Sequence, residues 1–229
     1  MLILGIDTST NIASVGLVCN GSVLVEESTP AVANHHTEIL LPLILRVLEE
    51  AGRALDDVRG IGVSIGPGSF TGLRIALGTA KGFAYALGQQ LVGIPTLEAL
   101  ARTITDWEGD IRPVLDARKG EVYTALFHRD PGGELHRLSP DSVVSPQMFF
   151  HHLETACVFL GDGVEKYGEL LREQCGDRIR LLPFSSHHPR GGVIARLAWE
   201  RLSRGEADDL GALVPLYVRK PDAEFKRAP

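Results

Sequence analysis

The sequence predicts an α/β protein of two lobes, and three observations carry the prediction. The β-rich runs "LILGID" (2–7), "ASVGLVC" (13–19) and "SVLVEES" (22–28) are separated by turn residues. Helix and strand patterns then alternate through residue 102, as a parallel crossover requires. Finally, "RPVLDARKGEVYTALFH" (112–128) echoes "LILGIDTSTNIASVGLV" (2–18) as strand, aspartate, polar turn, strand. That pattern is also common in unrelated sheets, so the echo alone leaves duplication open.

Taken in order, Asn20-Gly21 is a two-residue hairpin signal that makes the first three strands antiparallel. Asn34 offers an N-cap for a helix over 35–51 that stops near Gly52. "GIGVSI" (60–65) is a buried strand leading into a glycine-rich turn and a helix that ends near Gly88. "QLVGIP" (90–95) gives a fifth strand, and Pro95-Thr96 starts a short helix through Arg102. The order is βββαβαβα. The polar "TDWEGD" (105–110) places the boundary between lobes 1–105 and 106–229. In the second lobe "FLGDGVEKYGELL" (159–171) reads as strand, glycine turn and helix, and 193–204 as an amphipathic helix with a basic outer face; neither reads as a site. The tail "RKPDAEFKRAP" (219–229) is expected to be exposed.

Composition bounds the function. With 229 residues the chain can bury a sizeable core, and a net charge of -6 supplies no global field for a polyanion, which disfavours strong direct nucleic-acid binding. The longest apolar run, 39–48, is far shorter than the roughly 20 residues a membrane span needs. The start carries no basic leader, and Cys19, Cys157 and Cys175 lack metal-type spacing, so free thiols and a cytoplasmic location are expected.

The chemistry-bearing candidates thin out on inspection. After Gly72 come Leu73 and Arg74 where a phosphate loop needs lysine and a hydroxyl, and Ser69 lacks the flanking glycines of a nucleophile elbow. What survives is a loosened turn at Gly66 and Gly68 whose following amides, from Ser69 to Gly72, could hold an anion; Ser69 equally serves as an N-cap, the more frequent role. Asp7, with Ser9 nearby, and Asp116 could orient a nucleotide or its magnesium at strand ends, or bond to turn amides; the turn role is favoured. The histidine pairs 35/36, 151/152 and 187/188 are adjacent rather than four apart, so they chelate poorly on a helix. Gly191-Gly192 is a weak adenosine-site candidate.

Two helices stand out. In 39–48, leucine, isoleucine and valine point in nearly every direction, and in 70–87 two apolar or small stripes leave only Arg74, Lys81 and Tyr85 as a polar strip. A helix apolar all round must be buried all round, so these segments are expected to need more cover than their own lobe supplies. The expected surface comprises His36, Leu40, Leu43, Ile44, Val47, Thr71, Arg74, Ile75, Gly78, Lys81, Gly82 and Tyr85, with the glycines flattening it for another folded protein.

Through "GIDTS", "GPGSFTGLRIALGTAKGFA", "DARKGEVY" (116–123) and "PLYVRKPDAE" (215–224) the chain resembles the TsaB family, also called YeaZ. The resemblance implies an actin-like, sugar-kinase-like duplicated fold. It also implies a non-catalytic subunit in the synthesis of threonylcarbamoyladenosine at position 37 of tRNA. The implied partners are TsaD, as a heterodimer, and TsaE; alone, the same surface would make a homodimer. No cofactor is implied for this chain by itself, ATP and metal belonging to TsaD and TsaE, and tRNA would be met only through the complex. TsaD-type proteins carry an H-x-x-x-H metal pair where this chain reads "HHTEIL", which argues against independent catalysis. The rival readings are an actin-like ATPase or phosphotransferase and a glycoprotease-like metallohydrolase. Gly78→Leu or Leu43→Asp is expected to abolish complex formation and leave the monomer folded.

Overall fold

The computed structural model describes residues 1–30, 36–147, 153 and 155–219. The first sheet has the order β3-β2-β1-β4-β5, formed by β1 (Leu2–Asp7), β2 (Ile12–Cys19), β3 (Ser22–Pro30), β4 (Gly60–Gly66) and β5 (Gln90–Pro95). β1 pairs antiparallel with β2 and parallel with β4. Asn20 and Gly21 both take positive φ, 48° and 86°, as the two-residue hairpin turn demands. Helices α1 (His36–Glu50), α2 (Phe70–Leu87) and α3 (Thr96–Arg102) complete the βββαβαβα order. The N-cap expected at Asn34 lies outside the described residues.

The second sheet repeats this plan. Its path β10-β7-β6-β11-β12 uses β6 (Gly109–Asp116), β7 (Val122–Thr124), β10 (Ser142–Val144), β11 (Cys157–Leu160) and β12 (Ile179–Leu181). As in the first sheet, the initial strand pairs antiparallel with the second and parallel with the fourth. Helix α4 (Asp162–Cys175) joins β11 to β12, as α2 joins β4 to β5. The hairpin β8 (Phe127–Arg129) and β9 (Leu135–Arg137) is the addition, pairing to β6 through β8. The echo in the sequence therefore reflects equal strand order around two aspartates, Asp7 and Asp116.

Both faces of the first sheet are covered, which is why β1 is buried at every position. Leu2, Leu4 and Ile6 point into the core shared with α1 and α2, while Ile3 points to the other side. That other side is covered by α5 (Gly191–Ser203), which packs against all five strands although it belongs to the carboxyl-terminal segment. Gly16, Gly5 and Gly62 stand in one register row across β2, β1 and β4. A Cβ at Gly5 would lie 2.0 Å from the Gly191 carbonyl oxygen, and one at Gly16 2.2 Å from the Gly192 nitrogen. The row is a trough that lets helix backbone touch sheet backbone. Gly191 and Gly192 serve this crossing, in the place of the adenosine role considered from sequence. α5, on the far side of the boundary expected at 105/106, thus packs on the first sheet.

After α5 the chain returns over the first lobe. The Leu216 amide donates to the Ile65 carbonyl (2.7 Å), Tyr217 stacks near Phe70, and Arg219 donates to the Ala117 carbonyl (2.8 Å) in the second lobe. This strap spans both lobes at the mouth of the cleft between them.

Candidate functional site

α1 and α2 lie together on one face of the first sheet, and their outward sides form the candidate docking surface. On α2 Thr71, Arg74, Gly78, Gly82 and Tyr85 are exposed along one side, with Ile75 and Lys81 half-buried beside them; Phe70, Ala86 and Leu87 are exposed at the helix ends. An added Cβ at Gly78 or Gly82 meets nothing within 4 Å, and Tyr85 is 83% exposed. The stripe expected from sequence is thus outward-facing.

On α1 the sequence reading needs correction. Leu40, Leu43, Ile44 and Val47 are buried in the lobe's own core with the inner side of α2, leaving none of them on the outer surface. The aliphatic residues that do face out are Leu41 and Leu45, 48% and 58% exposed, among Glu38, Arg46, Glu49 and Glu50. The His36 backbone opens α1; its side chain lies outside the described residues. Leu43→Asp consequently probes the core and not the surface.

The glycines of the motif also divide. Gly78 and Gly82 face open space, but a Cβ at Gly68 would lie 2.4 Å from the Ser9 carbonyl oxygen and one at Gly72 1.8 Å from that of Thr8. Gly66 has φ 121°, a conformation that favours glycine. The Ser69 amide donates to the Ser9 carbonyl (2.7 Å) and the Thr8 hydroxyl to the Gly72 carbonyl (2.7 Å). The amino-terminal glycines therefore weld the start of α2 to the turn after β1, and only the later two flatten a surface.

Between the lobes opens a cleft of about 550 Å3, bordered by Ser9, Ser69, Asp116, Asp162, Glu165 and Lys166. Two of the four amides considered for an anion are already engaged: that of Ser69 by Ser9, and that of Gly72 by the Ser69 hydroxyl at 3.2 Å, an N-cap. Asp7 is fully buried and accepts from the Ser9 amide (3.1 Å) and hydroxyl (2.8 Å). Burial pushes its carboxyl up to about 6, against the lowering effect of those bonds. Asp116 accepts from the Arg118 amide (3.0 Å) in the same two-residue turn, and from Lys166 Nζ at 3.1 and 3.2 Å. Both aspartates thus act as turn residues. Asp162, whose carboxylate receives the Asp116 amide (2.9 Å), is likewise raised to about 6 by burial.

Of the histidine pairs, His35, His151 and His152 lie outside the described residues, while His187 bonds to the Pro183 carbonyl and His188 to the Ser28 hydroxyl. The sequence reading passed over Phe70 and Tyr217, exposed aromatics on either side of Arg74, because their contact joins distant segments. It also passed over Asp130, Glu134 and His136, whose ligand atoms lie within 4.8 Å of one another in the β8–β9 hairpin.

Comparison with known proteins gives a consistent picture. Residues 28–227 match the family model TsaD, tRNA N6-adenosine threonylcarbamoyltransferase. The tRNA threonylcarbamoyladenosine biosynthesis protein TsaB of Bacillus subtilis is 32% identical over 99% of this chain and 97% of its own length. The TsaB protein of Escherichia coli is 34% identical over 100% and 99%. The solved structure of YeaZ from Pseudomonas aeruginosa superposes with a TM-score of 0.77 at 28% identity, covering 94% of this chain and 99% of that one. For the fold alone, a 2-hydroxyglutaryl-CoA dehydratase component A of Acidaminococcus fermentans gives a TM-score of 0.54 at 10% identity over 89% and 99% of the two chains. A hexokinase of Thermus thermophilus gives 0.50 at 13% over 90% and 100%. Two lobes of one strand order, aspartates in matching turns and full-length similarity converge: this chain has the actin-like, sugar-kinase-like fold and belongs to the TsaB (YeaZ) family, within the wider TsaD group.

Proposed function

We propose that this chain is a non-catalytic scaffold and activating subunit in the synthesis of N6-threonylcarbamoyladenosine at position 37 of tRNA, docking TsaD through the outward faces of α1 and α2. The observation that carries the reading is the Cβ-free surface at Gly78 and Gly82, open on the outside, with Tyr85 exposed on the same helix and Leu41 and Leu45 exposed on α1. A second helix can approach such a strip closely, and aromatic residues beside it supply the anchors of a stable interface. The names of the full-length relatives support the pathway. TsaE joins the pair, ATP and metal belong to those partners, and tRNA is met through the assembly. In the absence of TsaD the same strip pairs two copies of this chain. The site of action is the cytoplasm; among the described residues no helix is long and apolar enough to cross a membrane.

The test is reconstitution of tRNA modification from TsaD, TsaE and the enzyme that makes threonylcarbamoyl adenylate, with and without this chain. Modification that requires the wild-type chain, and fails with a folded Gly78→Leu variant that no longer co-purifies with TsaD, supports the reading. Unchanged TsaD affinity in that variant removes the interface. Nucleotide turnover by the isolated chain, lost in Asp7→Ala, would replace the scaffold reading with an enzymatic one.

A further inference from the structure

A second feature lies on the opposite face of the first sheet, at the start of α5. A cavity of about 280 Å3 is walled by Arg102 at the end of α3, Thr103 and Thr105 in the following linker, Glu26 of β3, and Arg190 and Arg196 flanking the first turns of α5. Three guanidinium groups thus face one carboxylate, in a protein whose net charge is -6. That carboxylate is already committed, since Glu26 accepts from Arg190 Nε (2.5 Å) and from the Gly192 amide (2.7 Å). The Gly191 amide is likewise taken, by the Ser14 hydroxyl at 2.9 Å. The amides at the start of α5 are therefore spent within the fold, and only side chains remain to hold a ligand.

Arg190 is paired with Glu26, but the other two arginines are under-neutralised. The Arg196 side chain makes no hydrogen bond or ion pair among the described residues. Arg102 reaches only Glu98, at 3.7 Å, a partner it shares with Arg137 at 3.9 Å, and its Nε is buried without a partner. Behind them sits Arg129, 8% exposed, with Nε also unpartnered. Burial lowers its pKa, and the charges of Arg102 and Arg196 lower it further, against the opposing effect of Asp130. Glu26 and Glu98 offset only part of this clustered charge, and a bound anion relieves the rest. Guanidinium forks match phosphate oxygens in pairs, and the Thr105 hydroxyl adds a further donor.

We propose that this arginine-walled cavity between α3 and α5 is a binding site for phosphate groups, supplied by a free phosphate compound or by an RNA backbone.

The test titrates the full chain with two probes, inorganic pyrophosphate and a single-stranded RNA oligonucleotide, following affinity by calorimetry and melting temperature in parallel. The variants are Arg196→Gln, which breaks no bond within the chain, and Arg102→Gln; Arg53→Gln, exposed just past α1 on the far face, is the control. Wild type should bind at least one probe, with an affinity that falls as salt rises. Each cavity variant should weaken that binding by at least about fivefold, while the control leaves it unchanged. Binding of pyrophosphate alone assigns the site to a free phosphate compound; RNA bound more tightly through the same arginines assigns it to a backbone. Binding of neither probe, or binding undiminished in both cavity variants, overturns the proposal.

Discussion

Arg74 donates through Nε to the Tyr217 hydroxyl at 3.0 Å, joining α2 to the carboxyl-terminal strap across 143 positions of sequence. The same guanidinium lies 3.8 Å above the Phe70 ring, whose centroid is 5.4 Å from that of Tyr217. A double-mutant cycle of Arg74→Ala with Tyr217→Ala, read by urea unfolding, should give a coupling of about 0.5–1 kcal/mol, the scale of an exposed hydrogen bond with a cation–π contact. Additive effects would mean that the strap is not held at this point.

Gly78 separates stability from docking. Because an added Cβ there meets nothing, Gly78→Ala should gain helix propensity worth about 1 kcal/mol and raise the melting temperature by roughly 2–4 °C. Gly78→Leu should keep the monomer folded and prevent capture of TsaD. Calorimetric melting and co-purification check the two effects separately.

Leu43 and Leu45, two positions apart on α1, should respond oppositely to the same change. Leu43 is 1% exposed, so Leu43→Asp buries a charge and should cost more than about 4 kcal/mol, leaving little folded protein. Leu45→Asp, on the outer side, should alter stability by about 0.5 kcal/mol or less and weaken docking. Circular dichroism melts of both variants decide this.

The trough under α5 tolerates no side chain. Gly5→Ala sets a methyl 2.0 Å from the Gly191 carbonyl oxygen, a backbone atom that cannot turn aside. Destabilisation of about 3 kcal/mol or more is expected, measured as a shift in urea midpoint with little change in slope.

Asp7 gives the protein a pH-dependent component. Its carboxyl rises from 3.8 to about 6 on folding, so the folded state binds the proton more tightly. Its contribution is fully present below about pH 3.8 and is lost as pH rises through 6. At 1.36 kcal/mol per unit the difference amounts to about 3 kcal/mol. Asp7→Asn should therefore stabilise the chain above pH 6 relative to wild type, and the gain should vanish toward pH 4. Unfolding free energies across pH 4–8 test the sign.

Local chemistry made much of this legible. Strand alternation, the Asn20-Gly21 turn and the repeated strand-aspartate-turn pattern depend on neighbours in sequence, and the structure has the same elements. The outward stripe of α2 was readable because alanines and leucines on one side set a phase against Gly78, Gly82 and Tyr85 on the other. α1 gave no such phase. With leucine or isoleucine at most positions from 39 to 45, only contact with the sheet decides that Leu40 and Leu43 go in and Leu41 and Leu45 go out. The placement of α5 was hidden for the same reason, although glycines inside three strands, Gly5, Gly16 and Gly62, were a signal of close backbone approach. The arginine cavity draws on β3, α3 and α5, segments up to about 170 residues apart, and no window of sequence contains it.

Because residues 191–203 roof the sheet begun by residues 2–7, a chain still emerging from the ribosome carries Ile3, Val18 and Val92 bare on one side until α5 has followed them out. The first lobe completes its burial only once a segment about 190 residues downstream has arrived, which makes the growing polypeptide a natural client for chaperones that shield oily surface.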